Sequence, residues 1–263
     1  MKPFERTTMD PARTALAYLN PEFIESEAGR PLRILAEYLA PLRALEQARI
    51  HNTVVFFGSA RITETGAFAQ YYQDARELAT QVTRWARSIS EHDCHLVVCS
   101  GGGGGIMEAA NRGAAEAGGR TVGFNIGLPS EQRPNAYLEK DLTFEFHYFF
   151  MRKLWFAHLA RAIVVFPGGF GTLDELFEIL TLKQTRKLGR PTCVVLYGSA
   201  YWKEIVNFDA LARHGVISES DLTLFQYADH PERALQILKD SVHIDMSAPA
   251  PDLAKSSTPC CQR

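Results

Sequence analysis

Two stretches of this 263-residue chain set backbone freedom beside polar side chains. One is Ser100-Gly101-Gly102-Gly103-Gly104-Gly105. The other is Pro167-Gly168-Gly169-Phe170-Gly171-Thr172-Leu173-Asp174-Glu175. Each follows an apolar run and leads straight into a helical pattern. Glycine lets backbone N–H groups approach a ligand closely, and the N-terminus of a following helix favours an anion. One such loop alone is a tight strand-to-helix turn. Two of them at one crevice point to a phosphate or nucleotide site. Gly58-Ser59-Ala60-Arg61 and the segment Asn125 through Pro129 end two further apolar runs and belong to the same set of strand ends.

The spacing speaks against two familiar nucleotide classes. Starting from Gly101, Gly102 or Gly103, the last position of a G-x-G-x-x-G falls on Ile106, Met107 or Glu108. The third apolar run ends in Asn125, where a dinucleotide-binding unit offers an acid to the ribose. No G-x-x-x-x-G-K-[ST] occurs, so the loop of nucleoside triphosphatases is missing. Glu91-His92-Asp93-Cys94-His95 is rich in metal-ligand types. Residues entering a strand alternate sides, however, and no second cluster has zinc-site spacing, so neither a metal nor a cofactor is expected.

Positioning these loops requires an alternating framework. Short β-rich apolar runs fall at Thr53–Phe57, His95–Cys99, Arg120–Phe124, Leu142–Phe146, Ala162–Phe166, Thr192–Tyr197 and Leu222–Tyr227. Helical patterns are expected near 64–90, 105–118, 148–160, 172–187, 200–213 and 231–240. Runs such as VVFF, LVVC, AIVVF and CVVL are nearly continuous, as in parallel strands covered on both faces. The expectation is an α/β fold: a doubly wound, Rossmann-like parallel sheet flanked by helices, over residues 51–246. Residues 1–50, with a helical pattern from Arg33 to Ile50, form an expected N-terminal helical extension, and residues 247–263 a loose tail. In such sheets ligands bind at the carboxyl ends of the strands.

Composition bounds the partners. The hydrophobic fraction is 46% and the formal net charge is −2, which argues against non-specific nucleic-acid binding. No apolar run approaches the roughly 20 residues of a membrane span, and the first residues lack the apolar stretch of a secretory signal. Five cysteines, Cys94, Cys99, Cys193, Cys260 and Cys261, are an odd count that fits a reduced, cytoplasmic protein.

Thr172-x-x-Glu175 matches a capping box, with Thr172 as N-cap and Glu175 at the third helical position. Asp174 and Glu175 also suit the positive end of a helix dipole. Taken alone, this reads as a helix cap. The whole string P-G-G-x-G-T-x-x-E says more, because it resembles the signature of the LOG (Lonely Guy) family of nucleotide phosphoribohydrolases. Met151-Arg152-Lys153, leading a helix that ends in Leu159-Ala160-Arg161-Ala162, resembles the family's R-K segment. Ser100 through Gly105 with Ile106-Met107-Glu108 looks like its G-G-G-x-x-G-x-M helix start, and Phe57-Gly58-Ser59 like its first strand end. The likeness covers about residues 53–240. Phe150 stands where the family often has His. Members are often labelled lysine decarboxylases, yet nothing in the chain motivates a pyridoxal phosphate site.

The resemblance implies hydrolysis of a purine nucleoside 5'-monophosphate, with adenine or an N6-substituted adenine as base, to free base and ribose 5-phosphate. Breaking an N-glycosidic bond builds positive charge on the ribose. A carboxylate beside the anomeric carbon stabilises that charge or orients the attacking water. The family assigns this work to the residue matching Glu175, with Arg152 as its catalytic partner. Gly168, Gly169, Gly171 and Thr172 are then expected to hold the 5'-phosphate, Ser59, Gly102, Gly103 and Met107 to line the nucleotide cleft, and Lys153 to assist. Asp174 is read as serving the helix dipole. The aromatic stretch Phe144, Phe146, Tyr148, Phe149, Phe150, Trp155 and Phe156 reads as core and subunit interface, and a homodimer or higher oligomer is expected. The rival reading is a carrier of nucleotide or molybdenum cofactor on the same fold, which would need the phosphate loop but not the Arg152–Glu175 pair.

Overall fold

The computed structural model describes residues 16–89, 96–128 and 133–242. The Glu91–His95 cluster, Cys94, Cys260, Cys261 and the tail from 247 lie outside the described residues. Among those described, the strands are Thr53–Phe57 (β1), Val97–Ser100 (β2), Thr121–Ile126 (β3), Thr143–Phe146 (β4), Ala160–Val165 (β5), Cys193–Tyr197 (β6) and Gln226–Ala228 (β7). The helices are Pro21–Glu25 (α1), Arg30–Gln47 (α2), Ala69–Ile89 (α3), Ile106–Glu116 (α4), Phe149–Leu159 (α5), Phe170–Gln184 (α6), Ser199–Ile205 (α7), Phe208–Arg213 (α8) and Pro231–Ser241 (α9).

The strands form one sheet in the order β4-β3-β2-β1-β5-β6-β7, with every neighbouring pair parallel. Every residue of β1, β2, β3 and β6 is buried, which is why those runs read as continuously apolar. Alternation along β1 divides the core. Val54 and Phe56 pack with Leu78, Ile106 and Ile237 on the face covered by α3, α4 and α9. Val55 and Phe57 pack with Trp155, Phe156, Leu176 and Trp202 on the face of α5, α6 and α7. This is the doubly wound arrangement expected of the alternating pattern.

Helix α2 docks on the start of α5. The Glu37 carboxylate accepts from the backbone N–H groups of His147 (2.8 Å) and Tyr148 (3.3 Å), while its carbonyl accepts from Trp155 Nε1 (3.1 Å). A negative charge at the positive end of α5 is favourable, and it fixes where that helix begins.

Three of the element boundaries that differ from the sequence reading have a clear local cause. The strand expected at Leu222–Tyr227 starts only at Gln226, because Ser218 and Asp221 form a capping box that winds Glu219–Leu224 into a 3-10 turn. The single helix expected at 200–213 is two, broken where Asn207 accepts from Ala210 N–H (2.9 Å) and starts α8. The helix expected from Thr172 starts at Phe170, with Gly169 as N-cap and no capping side chain. Thr172 and Glu175 therefore lie inside the helix, and the capping-box reading of that pair is wrong.

Candidate active site

From β4 the chain returns through α5 to β5, on the far side of β1. The strand order reverses between β1 and β5, so their two carboxyl-end loops part and leave a crevice. Backbone bonds fix those loops: Phe166 N–H to the Phe57 carbonyl (2.8 Å), Ser59 N–H to Pro167 (3.0 Å) and Ile106 N–H to Ser59 (3.1 Å). The crevice is a cleft of about 1040 Å³ bounded by residues 58–63 and 65–68, Met107, Ile126, Leu128, the start of α5, residues 167–175 and Tyr201.

Arg152 from the first turns of α5 meets Glu175 from α6 in the wall of this cleft, Nη2 to Oε1 at 2.7 Å. The two side chains are only 11% and 12% exposed. Arg152 also lies against the Phe156 ring, 5.3 Å from its centroid, and its Nε is buried without a partner. Room for the guanidinium comes from Gly101, where an added Cβ would sit 2.7 Å from Met107 Sδ and 3.0 Å from Arg152 Nη2. Burial raises the Glu175 carboxyl from 4.5 to about 7, against the lowering effect of the Arg152 charge. Both protonation states are therefore accessible near neutrality, which suits a group that exchanges a proton during a reaction.

The start of α6 is the anion-receptive part. No side chain caps its first-turn N–H groups, and its macrodipole adds partial positive charge there. A Cβ placed on Gly169 or Gly171 would meet nothing within 4 Å. Packing within the chain does not require glycine at either position, and the open backbone there leaves room for close approach of a ligand. Gly168 is different: its Cβ would collide with Thr172, and its carbonyl accepts from Tyr201 Oη (2.8 Å).

Of the residues singled out from sequence, Ser59, Met107, Arg152, Gly168, Gly169, Gly171, Thr172 and Glu175 come together around the cleft. Gly102, Gly103 and Lys153 are not among its lining. The Gly102 and Gly103 carbonyls accept from Asn135 Nδ2 (3.1 and 3.0 Å), which also reaches Asn111, so these glycines serve the shape of their own loop. Lys153 pairs with Asp174 (3.2 Å) and Glu178 (2.7 Å) across the α5–α6 seam. Asp174, read from sequence as a dipole residue, is in that pair and at the cleft edge. Sequence reading placed Arg61, Ile126, Leu128 and Phe170 in strand-end segments without giving them a role, and did not single out Tyr201. Phe170 is 93% exposed at the cleft mouth. Arg61 comes two residues after the first strand-end Gly-Ser and was open to notice; Tyr201 is brought in by the fold alone.

Fold and site together define a doubly wound α/β protein with a carboxylate–guanidinium pair and an uncapped helix N-terminus in one switch-point cleft. A family model described as "Possible lysine decarboxylase" matches residues 107–238, half of the chain. The chain belongs to this family, the LOG family. It is 29% identical over 173 residues to the rice protein named probable cytokinin riboside 5'-monophosphate phosphoribohydrolase LOGL5 (Oryza sativa subsp. japonica), covering 65% of this chain. The match spans 64% of that relative, just under two thirds of its length. Arabidopsis thaliana LOG2, named cytokinin riboside 5'-monophosphate phosphoribohydrolase, is 23% identical over 198 residues, 74% of this chain and 86% of the relative. The X-ray structure of TM1055, a structural-genomics target, superposes with a TM-score of 0.52 at 22% identity, over 72% of this chain and 99% of that one, and supports the fold. Among the described residues no helix is long and apolar enough to cross a membrane, and no group of three metal-ligand side chains converges.

Proposed function

We propose that the protein hydrolyses the N-glycosidic bond of a purine nucleoside 5'-monophosphate, giving the free base and ribose 5-phosphate. The observation that carries this reading is the 2.7 Å Arg152–Glu175 pair, set in the cleft that also receives the uncapped start of α6. The N–H groups of α6 and the Thr172 hydroxyl bind the 5'-phosphate. The opposite end of the cleft is apolar, with Ile126, Leu128 and Phe149, and takes the base. C1' then lies between them, beside Glu175. The relatives' names concern cytokinin riboside 5'-monophosphates. An apolar substituent on the adenine N6 suits the same end of the cleft.

As the bond between C1' and the base nitrogen lengthens, its electrons leave with the base and positive charge builds on the ribose. Ionised Glu175 stabilises that charge and accepts a proton from the water that attacks C1'. The departing nitrogen regains a proton from Glu175 or solvent, which closes the balance. Arg152 holds the carboxylate in place and grips substrate oxygens through its remaining N–H groups. The phosphate, remote from the reacting bond, anchors the ribose in the reacting geometry.

The test is incubation of pure protein with a panel of nucleoside 5'-monophosphates, including N6-substituted adenines, while free base and ribose 5-phosphate are measured. Equimolar appearance of both supports the proposal. Tight binding of a monophosphate with no base release points to a carrier and rejects the hydrolase.

A further inference from the structure

At the end of the sheet opposite the cleft, where the central strands begin, two arginines share one neutral acceptor. Arg161 Nε donates to Asn52 Oδ1 at 2.7 Å. Arg190 donates through one Nη to the same oxygen at 3.2 Å and to the His51 carbonyl at 2.9 Å. The donating nitrogens therefore lie within about 6 Å of one another, where like charges repel strongly away from bulk water. No carboxylate pairs with either arginine among the described residues. Asn52, 5% exposed, supplies an oxygen but no charge.

The backbone is shaped to put Arg161 there. Thr53 pairs with Ala160 and Val54 with Ala162, so Arg161 is the extra residue of a β-bulge between β1 and β5. A bulge re-aims the side chain it carries. Here the side chain turns toward Asn52 and Arg190. His158, in the last turn of α5, has a buried Nε2 with no hydrogen-bond partner, and burial, with Arg190 adding to it, pulls its imidazole below the ordinary range. Burial likewise lowers both guanidinium groups, and the charge of Arg161 adds to the effect on Arg190. Guanidinium groups nonetheless stay protonated. Among the described residues, these two part-buried positive charges with planar forks share one neutral acceptor and pair with no carboxylate.

We propose that this end of the sheet is a second anion site, in which Arg161 and Arg190 together bind a phosphate-type oxoanion, either free phosphate or the phosphoryl group of a sugar phosphate. Arginine forks match such oxygens bidentately, and a bound dianion removes the repulsion that the bulge imposes. The site is separate from the cleft and does not rest on the hydrolase reading.

The test uses calorimetric titration with inorganic phosphate at low ionic strength, where screening is weak. Because α6 also offers an anion cradle, the parent protein carries Gly171→Val, which fills that cradle from the open side. This parent is expected to retain one phosphate site. Arg161→Gln or Arg190→Gln added to it weakens binding by about tenfold or more, the equivalent of one lost charge-assisted hydrogen bond. In phosphate-free buffer each Gln variant melts at the same temperature as the parent or higher, since one of two repelling charges is gone. The phosphate-induced rise in melting temperature is lost. Ribose 5-phosphate in place of phosphate separates the sources: equal affinity assigns the site to the phosphoryl group itself, tighter binding to a sugar phosphate. Absence of any site in the parent overturns the proposal. So does unchanged phosphate affinity in both Gln variants, or a lowered melting temperature with the phosphate increment intact, which marks the arginines as structural. If a Gln variant fails to fold, Arg161→Lys keeps the charge but loses the fork, and affinity equal to the parent's again overturns it.

Discussion

Replacing Glu175 by Gln is expected to make the protein more stable and much less active, with a gain in stability that depends on pH. The reasoning starts from a carboxyl raised from 4.5 to about 7 by burial. The native state then binds that proton more tightly than the unfolded chain does. Below about pH 4.5 both states are protonated and nothing is lost. As pH rises toward about 7 the unfolded state ionises first, and native stability falls by an amount that is complete above about 7. The difference of about 2.5 units corresponds to about 3 kcal/mol at about pH 8 and about 1 kcal/mol at about pH 5. Gln keeps the shape of a permanently protonated Glu and can still accept from Arg152. Melting temperature should therefore rise by roughly 6–12 °C at about pH 8, and by only a few degrees at about pH 5. Turnover in the base-release assay should drop by about 10²–10⁴-fold, as when a general base is removed. Thermal melts at the two pH values, with base release measured in parallel, decide the matter. A variant that melts lower than the parent at about pH 8 would refute the reasoning, because the Arg152 charge would then outweigh the burial of the carboxylate. A variant that keeps its turnover would remove Glu175 from the mechanism.

The remaining expectations concern the same cleft. In the parent protein kcat/KM should rise as pH increases through about 7, because Glu175 acts in its ionised form; a flat profile between about pH 5 and 8 would contradict this. Arg152→Ala should remain folded with hydrolysis severely reduced, and Arg152→Lys should restore little, since lysine lacks the planar fork; a fully active Lys variant would show that charge alone suffices. Gly171→Ala should leave stability unchanged or raise it by about 0.5–1 kcal/mol, while raising KM for the monophosphate about tenfold or more. An unaltered KM would take the phosphate away from α6. Adenosine should react slower than AMP by several powers of ten in kcat/KM, and equal rates would sink the phosphate assignment.

The sheet was legible because its strands are buried on both faces. A run such as Val54-Val55-Phe56-Phe57 has no polar face to mislead the reading. Boundaries were harder, for one chemical reason acting in opposite senses. Ser218-x-x-Asp221 forms a capping box just ahead of an expected strand and winds the start of that strand into a 3-10 turn, whereas Thr172-x-x-Glu175 has the same kind of spacing and caps nothing. Local spacing specifies which bonds are available. Tertiary packing decides which are made, and here Gly169 takes the N-cap, leaving Glu175 free to meet Arg152. That meeting could be expected only from the whole motif, since 23 residues of sequence separate the partners. The glycines of the first loop were misleading in a different way. Gly101 makes room for Arg152, and a Cβ on Gly102 or Gly105 would collide with Asn125 or the Ser59 carbonyl, so these three glycines answer crowding within the protein.

The strand reversal at β1 also divides the labour of the cleft between two stretches of chain. Arg152 and Glu175 both belong to the single run α5–β5–α6, so their mutual geometry is carried by one compact unit. The walls they face, residues 58–63 and 65–68 with Ile126 and Leu128, come from the loop after β1 and from the end of β3 and the residues that follow it, earlier in the chain. Those loops are free to vary in length and character without moving the pair, as loops on a rigid sheet are. A scaffold arranged this way can change most of the lining opposite the pair by altering the first half of the chain while keeping the run that carries the pair.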